Sequence, residues 1–453
     1  MAIVQGDLQR PFLSVSPYTG APEDIQTQLD EDVSADVVIV GGGLTGLSTA
    51  LALKKAGLDP VIVEREFCGF GASGRNAGHL TPTIGKDLPT LLMLFGEKRS
   101  ASLVRFADHC VASTEQLIAE LEIDCDYDPA GNIMAAVHPK QEARLRKAAE
   151  VATKLGADVR FIEPGEMRER GLPPTFLSGT LEAAGGTLHP GKLVNGLRRA
   201  VLEAGVRVFE RTAAFAVKDG ARVLVQTEKG TVRADHAVMA SNAYTADIGK
   251  PGSKIYALYV TLFESEALSD DQIRSIGDWP GREGIYTAHE SLESYRLTRQ
   301  RTILGGSKGV RYIFGGKANH GDGPNVRTQS MVATAFRDRF PQLGALPIAH
   351  FWGGWIAMTM NFLPAVGRSQ GSNVFHAVGY NGHGVAQATA IGPILRDLIL
   401  RQPNPWTGTI VRFTPPLPPE PLGWVFAKGM LRLIDGYDNH IDRKIRSKGI
   451  VAG

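Results

Sequence analysis

Gly41, Gly43 and Gly46 have the GxGxxG spacing with which many proteins hold a pyrophosphate. The first glycine permits a tight turn, the second lets phosphates approach the backbone, and the third lets a helix pack closely on a strand. Glu64 ends the next apolar segment, where a carboxylate can accept hydrogen bonds from both hydroxyls of an adenosine ribose. The spacing predicts a dinucleotide site that includes Gly41, Gly43, Leu44, Thr45, Gly46, Glu64 and Arg65.

The segments around these glycines have the pattern that such a site needs. Residues 36–40 are an apolar run typical of a buried strand, residues 47–53 have helical spacing, and residues 60–64 form a second short apolar run. This is a complete β–α–β unit, which predicts a parallel, buried sheet. A glycine-rich turn without a ligand is common, but here strand, helix, second strand and Glu64 agree on dinucleotide binding.

A second loop of small residues, GASGRNAG at 71–78, carries a single cation, Arg75. An NAD-binding enzyme needs no second phosphate loop so soon after the first unit, whereas the longer FAD molecule does. The sequence therefore predicts FAD, with contacts from Gly71, Ala72, Ser73, Arg75, Asn76, Ala77 and Gly78.

This second loop resembles that of the D-amino-acid oxidase and glycine oxidase family of FAD-dependent oxidoreductases. It is most similar to the gamma-glutamylputrescine oxidase branch, whose loop reads GASGRNGG where this chain has Ala77. Further resemblances follow in the family's order at residues 238–245, 295–306, 352–367 and 379–385. The resemblance extends from about residue 35 to 403. It implies an α/β fold (α+β overall), in which a doubly wound, Rossmann-type FAD-binding domain is interrupted by a substrate domain with a mixed, largely antiparallel sheet.

The last of these motifs, GYNGHGV at 379–385, joins an apolar strand to an apolar helix. Two-electron reduction leaves negative charge on one edge of a flavin, and a helix N-terminus pointed at that edge stabilises the charge. A glycine-rich helix start with no flavin beside it is the alternative. With the resemblance, we expect further FAD contacts from Ala214, Ser241, Asn242, Gly353, Gly379, Asn381, Gly382, His383, Gly384 and Val385.

The resemblance also implies the reaction. In the family, the substrate carbon transfers a hydride to flavin N5, and water hydrolyses the resulting imine. Relatives of the sarcosine oxidase type hold their flavin through a cysteine in the C-terminal half, whereas the last cysteine here is Cys125. We therefore expect FAD to be bound non-covalently.

Five residues are candidates for a role on the substrate: His79, Tyr295, Arg296, Arg299 and His383. His79 follows the second loop and His383 precedes the C-terminal helix, although either can be a structural histidine. Arg299 stands where the glycine oxidase pattern has an arginine that binds the substrate carboxylate, and the polyamine branch usually lacks it. Strand alternation puts Tyr295 and Arg299 on one face and Arg296 on the other. An exposed strand arginine is the alternative for Arg299.

The composition argues against several other classes of protein. Lys and Arg number 49 and Asp and Glu number 47, so there is no basic excess to neutralise a nucleic acid. The three cysteines lack CxxC spacing and the histidines are dispersed, so neither a disulfide framework nor a metal site is indicated. No signal peptide or membrane-spanning run is visible, and we expect a cytoplasmic protein.

A chain of 453 residues exceeds the usual size of one hydrophobic core, so at least two domains are expected. Residues 404–453 are predicted to be a proline-rich linker and a C-terminal tail. The FAD-binding domain is assigned residues 30–98, 149–250 and 349–403, and the substrate domain residues 99–148 and 251–348.

The tail has apolar residues at three- and four-residue steps between Trp424 and Ile434, which predicts a short amphipathic helix. Two partners are open for this helix. It packs on the protein's own surface or on a second subunit, or it contacts an anionic membrane, to which the basic segment 443–448 would be attracted.

The leading hypothesis is an enzyme that uses FAD to oxidise a C–N bond of a small amine or amino acid, with oxygen or another electron acceptor. One alternative is a membrane-surface dehydrogenase that passes electrons to quinone. Another is a flavoprotein subunit of a larger complex. The sequence pattern indicates no particular oligomeric state.

Overall fold

The computed structural model describes residues 2–248, 252–318 and 323–448. The strands are β1 (Val33–Val40), β2 (Pro60–Val63), β3 (His79–Leu80), β4 (Asn132–Ala136), β5 (Val159–Ile162), β6 (Ser178–Glu182), β7 (Gly186–Thr187), β8 (Arg207–Phe209), β9 (Ala214–Lys218), β10 (Val223–Thr227), β11 (Thr231–Met239), β12 (Tyr256–Ser265), β13 (Gly284–Thr287), β14 (Ser294–Leu297), β15 (Ile303–Gly306), β16 (Arg311–Tyr312), β17 (Ile348–Met358), β18 (Ala365–Arg368) and β19 (Val374–Val378). The α-helices are α1 (Ala2–Asp7), α2 (Leu44–Lys55), α3 (Ala72–Arg75), α4 (Leu88–Glu120), α5 (Glu142–Leu155), α6 (Pro164–Glu169), α7 (Pro190–Glu203), α8 (Thr245–Ile248), α9 (Asp270–Ser275), α10 (Val326–Arg339), α11 (Gly384–Leu400), α12 (Thr407–Ile410) and α13 (Leu422–Lys448).

The first sheet is mostly parallel and contains the predicted β–α–β unit. Its strands follow the order β18, β19, β11, β1, β2, β8, and β10 and β9 extend from β11 as an antiparallel ribbon. Val37 and Ile39 pack with the helices on one face, while Val38 and Val40 pack with the ribbon on the other, which is why this strand is a continuous apolar run. β1 and β2 run parallel, so Gly41 and Glu64 follow them at the same edge.

The second sheet is mixed and largely antiparallel, as predicted. Its order is β16, β12, β15, β14, β13, β4, β6, β5, with β17 also paired to β12. Only β13 and β4 are parallel neighbours among its described strands. One face packs on α10 through residues such as Phe263 and Phe336. From the opposite face, Leu258, Val260 and Leu262 line a cavity.

The predicted domain boundaries need correction. β5, β6 and β17 belong to the second sheet, although 149–250 and 349–403 were assigned to the FAD-binding domain. Conversely, Leu103, Phe106 and Cys110 of α4 pack in the core of the first sheet, although 99–148 was assigned to the substrate domain. A short apolar strand does not indicate which of two sheets it will join. Residues 249–251, 319–322 and 449–453, which the predicted ranges include, lie outside the described residues.

The tail forms the helix α13, and it packs on the protein's own second sheet. Ile441 and Ile445 are buried in the core of that sheet, and Asp442 accepts a hydrogen bond from Nη2 of Arg339 at 2.6 Å. The first of the two predicted partners is therefore present. Among the described helices, none combines the length and the apolar character that crossing a bilayer requires.

Candidate functional site

A cavity of about 370 Å³ lies at the edge of the first sheet where β1, β2 and β11 end. It brings together several stretches that are distant in sequence. The expected FAD contacts that line it are Gly41, Gly43, Leu44, Thr45, Glu64, Arg65, Gly71, Ala72, Ser73, Asn76, Ala214, Ser241, Asn242, Asn381, Gly382, Gly384 and Val385.

The first glycine turn has no room for side chains. Gly41 has φ +111°, and a Cβ there would lie 2.9 Å from the carbonyl oxygen of Ala240. A Cβ on Gly46 would lie 1.9 Å from the carbonyl oxygen of Gly41. α2 begins directly after Gly43, which offers no side-chain cap, although the N–H of Leu44 donates to Oγ of Ser73 at 3.0 Å. The other N–H groups of this first turn and the positive end of the helix suit an anionic group.

Glu64, the expected ribose acceptor, is held in place by two backbone N–H groups. Its Oε2 accepts from Gly42 at 2.7 Å and its Oε1 accepts from Glu66 at 3.1 Å. Burial raises the pKa of Glu64, while these two hydrogen bonds favour the ionised form. Each carboxylate oxygen can accept a further hydrogen bond, so the residue fits the two hydroxyls of an adenosine ribose.

Arg75, expected to contact FAD, holds the second loop against the rest of the fold. Its Nε donates to the carbonyl oxygen of Phe70 at 2.6 Å, and its Nη1 donates to that of Gly353 at 3.0 Å. These bonds use two of its five N–H groups, and a contact with FAD stays a prediction. Arg75 lines a second, neighbouring cavity, as do Ala77 and His383.

Four of the expected FAD contacts, Gly46, Gly78, Gly353 and Gly379, line neither cavity. They allow chain segments to approach each other closely behind the cavity walls. Gly78 is the clearest case, because its φ is +81° and a Cβ would lie 2.0 Å from the carbonyl oxygen of Leu188. In this structure they shape the walls, and their role as cofactor contacts stays a prediction.

The second cavity, about 470 Å³, lies between the two sheets. It shares a wall with the first cavity, and this common wall consists of Ala72, Asn76, Trp355, Ile356, Asn381, Gly382, Gly384 and Val385. α11 begins at this wall with Gly384 and has no side-chain cap. A ligand that extends along the first cavity therefore reaches the second cavity beside a helix N-terminus.

His79 is a neutral acceptor in the second cavity. Its Nδ1 lies 3.0 Å from Oδ1 of Asn132, whose Nδ2 donates to the carbonyl oxygen of Leu80 at 2.8 Å. Since that amide oxygen only accepts, Nδ1 carries the proton and Nε2 is the acceptor. Nε2 is buried and has no hydrogen-bond partner among the described residues. Burial lowers the pKa of His79 to about 3, so the ring is uncharged at neutral pH.

His383 also lines the second cavity, immediately before α11. Its Nδ1 donates to the carbonyl oxygen of Asn381 at 3.0 Å, and burial lowers its pKa. This contact fixes the ring against the turn, and any role for His383 on the substrate stays a prediction.

The predicted faces of the 295–299 segment need correction, because β14 ends at Leu297 and alternation does not continue to Arg299. The Arg299 side chain is 45% exposed and donates to Oδ1 of Asp128 at 3.1 Å. Tyr295 lies in the core on the far side of the sheet, where its hydroxyl donates to Oε2 of Glu293 at 3.0 Å. Neither side chain lines either cavity.

Arg296 lies on the same face as Ser294, which lines the second cavity, although Arg296 itself lines neither cavity. It is 4% exposed, and its guanidinium packs so closely on Gly78 that an added Cβ there would lie 3.2 Å from Nε. Nε and Nη2 have no hydrogen-bond partner among the described residues. A buried cation with unmet donors is the more promising arginine of the two.

Glu182 and Tyr286 lie at this site but were not predicted from the sequence. Glu182 lines the second cavity, accepts from the hydroxyls of Thr81 at 2.6 Å and Thr83 at 2.9 Å, and has a pKa raised by burial. Tyr286 packs on His79 with 4.5 Å between ring centres. Both residues lie in short strands without a motif, and only the pairing of β4 with β6 and β13 brings them to His79.

A second group of buried charges lies beside the cavity and pairs internally. Arg339 donates to Glu293 at 2.8 Å and to Asp442 at 2.6 Å, and Lys308 donates to both carboxylates. His289, Glu293 and Asp442 are close enough together to hold a metal ion. Arg339 and Lys308 already balance both carboxylates, so the group is an ion-pair cluster.

A family model described as FAD dependent oxidoreductase matches residues 36–398. Gamma-glutamylputrescine oxidoreductase of Escherichia coli (strain K12) is 30% identical over 391 residues, which are 86% of this chain and 88% of that protein. The range of the family model includes both glycine loops and the start of α11, so it covers every residue that lines the first cavity.

Solved structures agree on the fold. Glycine oxidase from Geobacillus kaustophilus has a TM-score of 0.69 at 20% identity, covering 84% of this chain and 99% of that chain. L-proline dehydrogenase from P. horikoshii has a TM-score of 0.68 at 20% identity, covering 82% and 94%. The three cysteines are free and line neither cavity, so FAD is the cofactor without a cysteinyl link. The chain belongs to the D-amino-acid oxidase family of FAD-dependent oxidoreductases.

Proposed function

We propose that this enzyme oxidises a C–N bond of an amine that binds in the second cavity, beside His79. The supporting observation is the wall common to the two cavities, because a substrate in the second cavity would adjoin the end of the cavity proposed for the cofactor. FAD held there would supply a two-electron acceptor for the hydride of the carbon next to the nitrogen, and hydrolysis of the resulting imine would give a carbonyl compound and free ammonia or amine.

The residues around this wall fit an amine in two ways. Nε2 of His79 can accept a hydrogen bond from the N–H group of the substrate and so orient the substrate nitrogen. Because the pKa of His79 is about 3, the ring does not take up the proton of this N–H group. The Glu182 carboxyl can pair with an arriving ammonium group. These residues therefore bind and orient the amine.

An amino-acid substrate is the second candidate, and Arg296 supports it. Its Nε and Nη2 donors have no partner among the described residues and suit a carboxylate. Arg296 packs against Gly78, and the two chain neighbours of Gly78, Ala77 and His79, both line the cavity. The chain's relative is named for a substituted putrescine, an amine, which supports the first candidate.

A panel of amines and amino acids, mixed anaerobically with the purified holoenzyme, tests both candidates through bleaching of the flavin absorbance. Bleaching by amines that lack a carboxylate, unchanged in Arg296→Met, supports the first. Bleaching only by amino acids, with a KM raised at least about tenfold in Arg296→Met, supports the second. No bleaching by any member of the panel would contradict the proposed reaction.

The electron acceptor is a separate proposal. We favour oxygen, and a quinone at a membrane surface is the alternative because α13 exposes Leu422, Val425, Phe426 and Leu433, with Arg432 among them. Oxygen consumption by the purified chain supports an oxidase. Two results together support the quinone alternative. The enzyme reduces a dye without taking up oxygen, and it floats with anionic vesicles unless Leu433→Asp is introduced. A cytoplasmic location stays a prediction.

A further inference from the structure

One end of the second cavity is formed by the C-terminal helix. Met430, Leu431 and Ile434 of α13 line the cavity. This helix lies beyond residues 36–398, which the family model matches. A wall of the cavity therefore comes from a part of the chain that the family model does not match.

The wall that adjoins α13 is also apolar. Leu258, Val310 and Met358 line the same cavity and pack in one cluster with Leu431. Ile356 belongs to that cluster and also to the wall shared with the cofactor cavity. The apolar end therefore begins directly at the place where the cofactor cavity meets the second cavity.

α13 is anchored rigidly enough to act as a wall. The Asp438 carboxylate accepts from the backbone N–H of Glu290 at 3.0 Å and from that of Ser291 at 2.8 Å, in a loop that itself lines the cavity. Asp442 enters the buried ion-pair cluster through Arg339. These contacts fix both the helix and the loop beside it.

We propose that this end of the cavity is a subsite for an apolar arm of the substrate, an aliphatic or arylalkyl substituent on the amine; the proposal rests on the proposed amine oxidation. A second ammonium group would lose its hydration against these apolar side chains. The carboxylate of Glu290, in the loop that α13 fixes, is already paired with Arg144 and Lys86. An alkyl or arylalkyl amine therefore fits better than a diamine of the same length.

The test is a series of straight-chain amines from ethylamine to hexylamine, titrated anaerobically into the holoenzyme and followed through the flavin absorbance. Affinity should rise about threefold to fivefold for each added methylene group. Hexylamine should bind more tightly than the diamine of equal chain length. Affinity that does not depend on chain length, or a preference for the diamine, overturns the subsite.

Two variants place the effect on α13. Met430→Gln is nearly isosteric, and Ile434→Asn introduces an amide into the same wall. Each should weaken hexylamine binding at least about fivefold and leave ethylamine within about twofold. Leu433→Asn is the matched control, because Leu433 lies on the same helix and is 78% exposed. This variant should bind both amines as tightly as the parent enzyme does.

Calorimetric titration with 1-hexanol separates this proposal from the proposed reaction, since hexanol carries no amine. The subsite is supported if hexanol binds, if Ile434→Asn and Met430→Gln weaken this binding, and if Leu433→Asn preserves it. This holds even if no amine reduces the flavin. If amines reduce the flavin but hexanol binds equally to all three variants and the parent, the reaction stands and the subsite is wrong.

Discussion

Two groups of buried polar residues differ in how their charges are met. In the ion-pair cluster, Glu293 and Asp442 are balanced by Arg339 and Lys308, although Nη1 of Arg339 has no hydrogen-bond partner among the described residues. The buried guanidinium of Arg296, beside His79 and the second loop, forms no ion pair with the described residues, and its Nε and Nη2 have no hydrogen-bond partner there. Paired buried charges hold parts of a fold together, whereas a buried cation without a carboxylate beside it can be completed by an anionic ligand.

Breaking the paired cluster should have the largest effect on the protein as a whole. Arg339→Met leaves Glu293 and Asp442 buried with one cation fewer, and we expect the free energy of unfolding to fall by about 3–5 kcal/mol. Chemical denaturation of the holoenzyme measures this loss.

Arg446→Gln is the control for that experiment. It removes a partner of Asp338 at a site where the arginine side chain is 49% exposed, and should cost less than about 1 kcal/mol. Equal losses in the two variants would contradict the distinction between a buried cluster and a surface pair.

The second prediction concerns the Glu64 carboxylate, whose hydrogen-bonding capacity is only partly used by backbone N–H groups. Glu64→Arg replaces the proposed ribose acceptor with a cation, and should weaken FAD binding by about 2–4 kcal/mol. Titration of the apoprotein with FAD measures the change. Glu66→Gln serves as control, because Glu66 contributes its backbone N–H to Glu64 and its side chain is 47% exposed. Unchanged FAD affinity in Glu64→Arg would remove the carboxylate from the site.

The third prediction uses the neutral ring of His79. Its pKa of about 3 in the folded protein lies below the ordinary 6.5, so between these values the unfolded chain binds a proton that the folded protein does not. Stability is therefore lost as the pH falls through this window. His79→Gln removes this proton uptake. Over the accessible part of the window, the unfolding free energy of the variant should therefore fall by about 1–2 kcal/mol less than that of the parent. Identical pH slopes for parent and variant would mean that the ring is not held neutral.

The smallest effect is expected at Arg299. Its ion pair with Asp128 is largely exposed, so Arg299→Met should change stability by less than about 1 kcal/mol and kcat/KM by less than about threefold. Steady-state kinetics with the best substrate of the panel measure this. A large rise in KM in Arg299→Met would restore the carboxylate-binding role that the sequence pattern favours.

The site could be predicted from the sequence where its geometry is local. The turn at Gly41–Gly46 and the start of α11 are short segments whose spacing already specifies strand, turn and helix, so their place at the FAD cavity followed without knowledge of distant contacts. Arg75 shows the limit of this reasoning. A cation in a phosphate-type loop suggests a ligand contact, but its hydrogen bond to Gly353 connects residues 278 positions apart.

By itself, the sequence determined the β–α–β unit, the FAD preference and the amphipathic character of the tail, because each depends on residues a few positions apart. The tertiary structure decided that Arg296 and not Arg299 is buried beside the loop, since β14 ends at Leu297. It also brought Glu182 near His79 and placed α13 over the second cavity. Strand endings, sheet membership and helix docking depend on burial shared between distant segments, such as Asp442 with Arg339, 103 residues away.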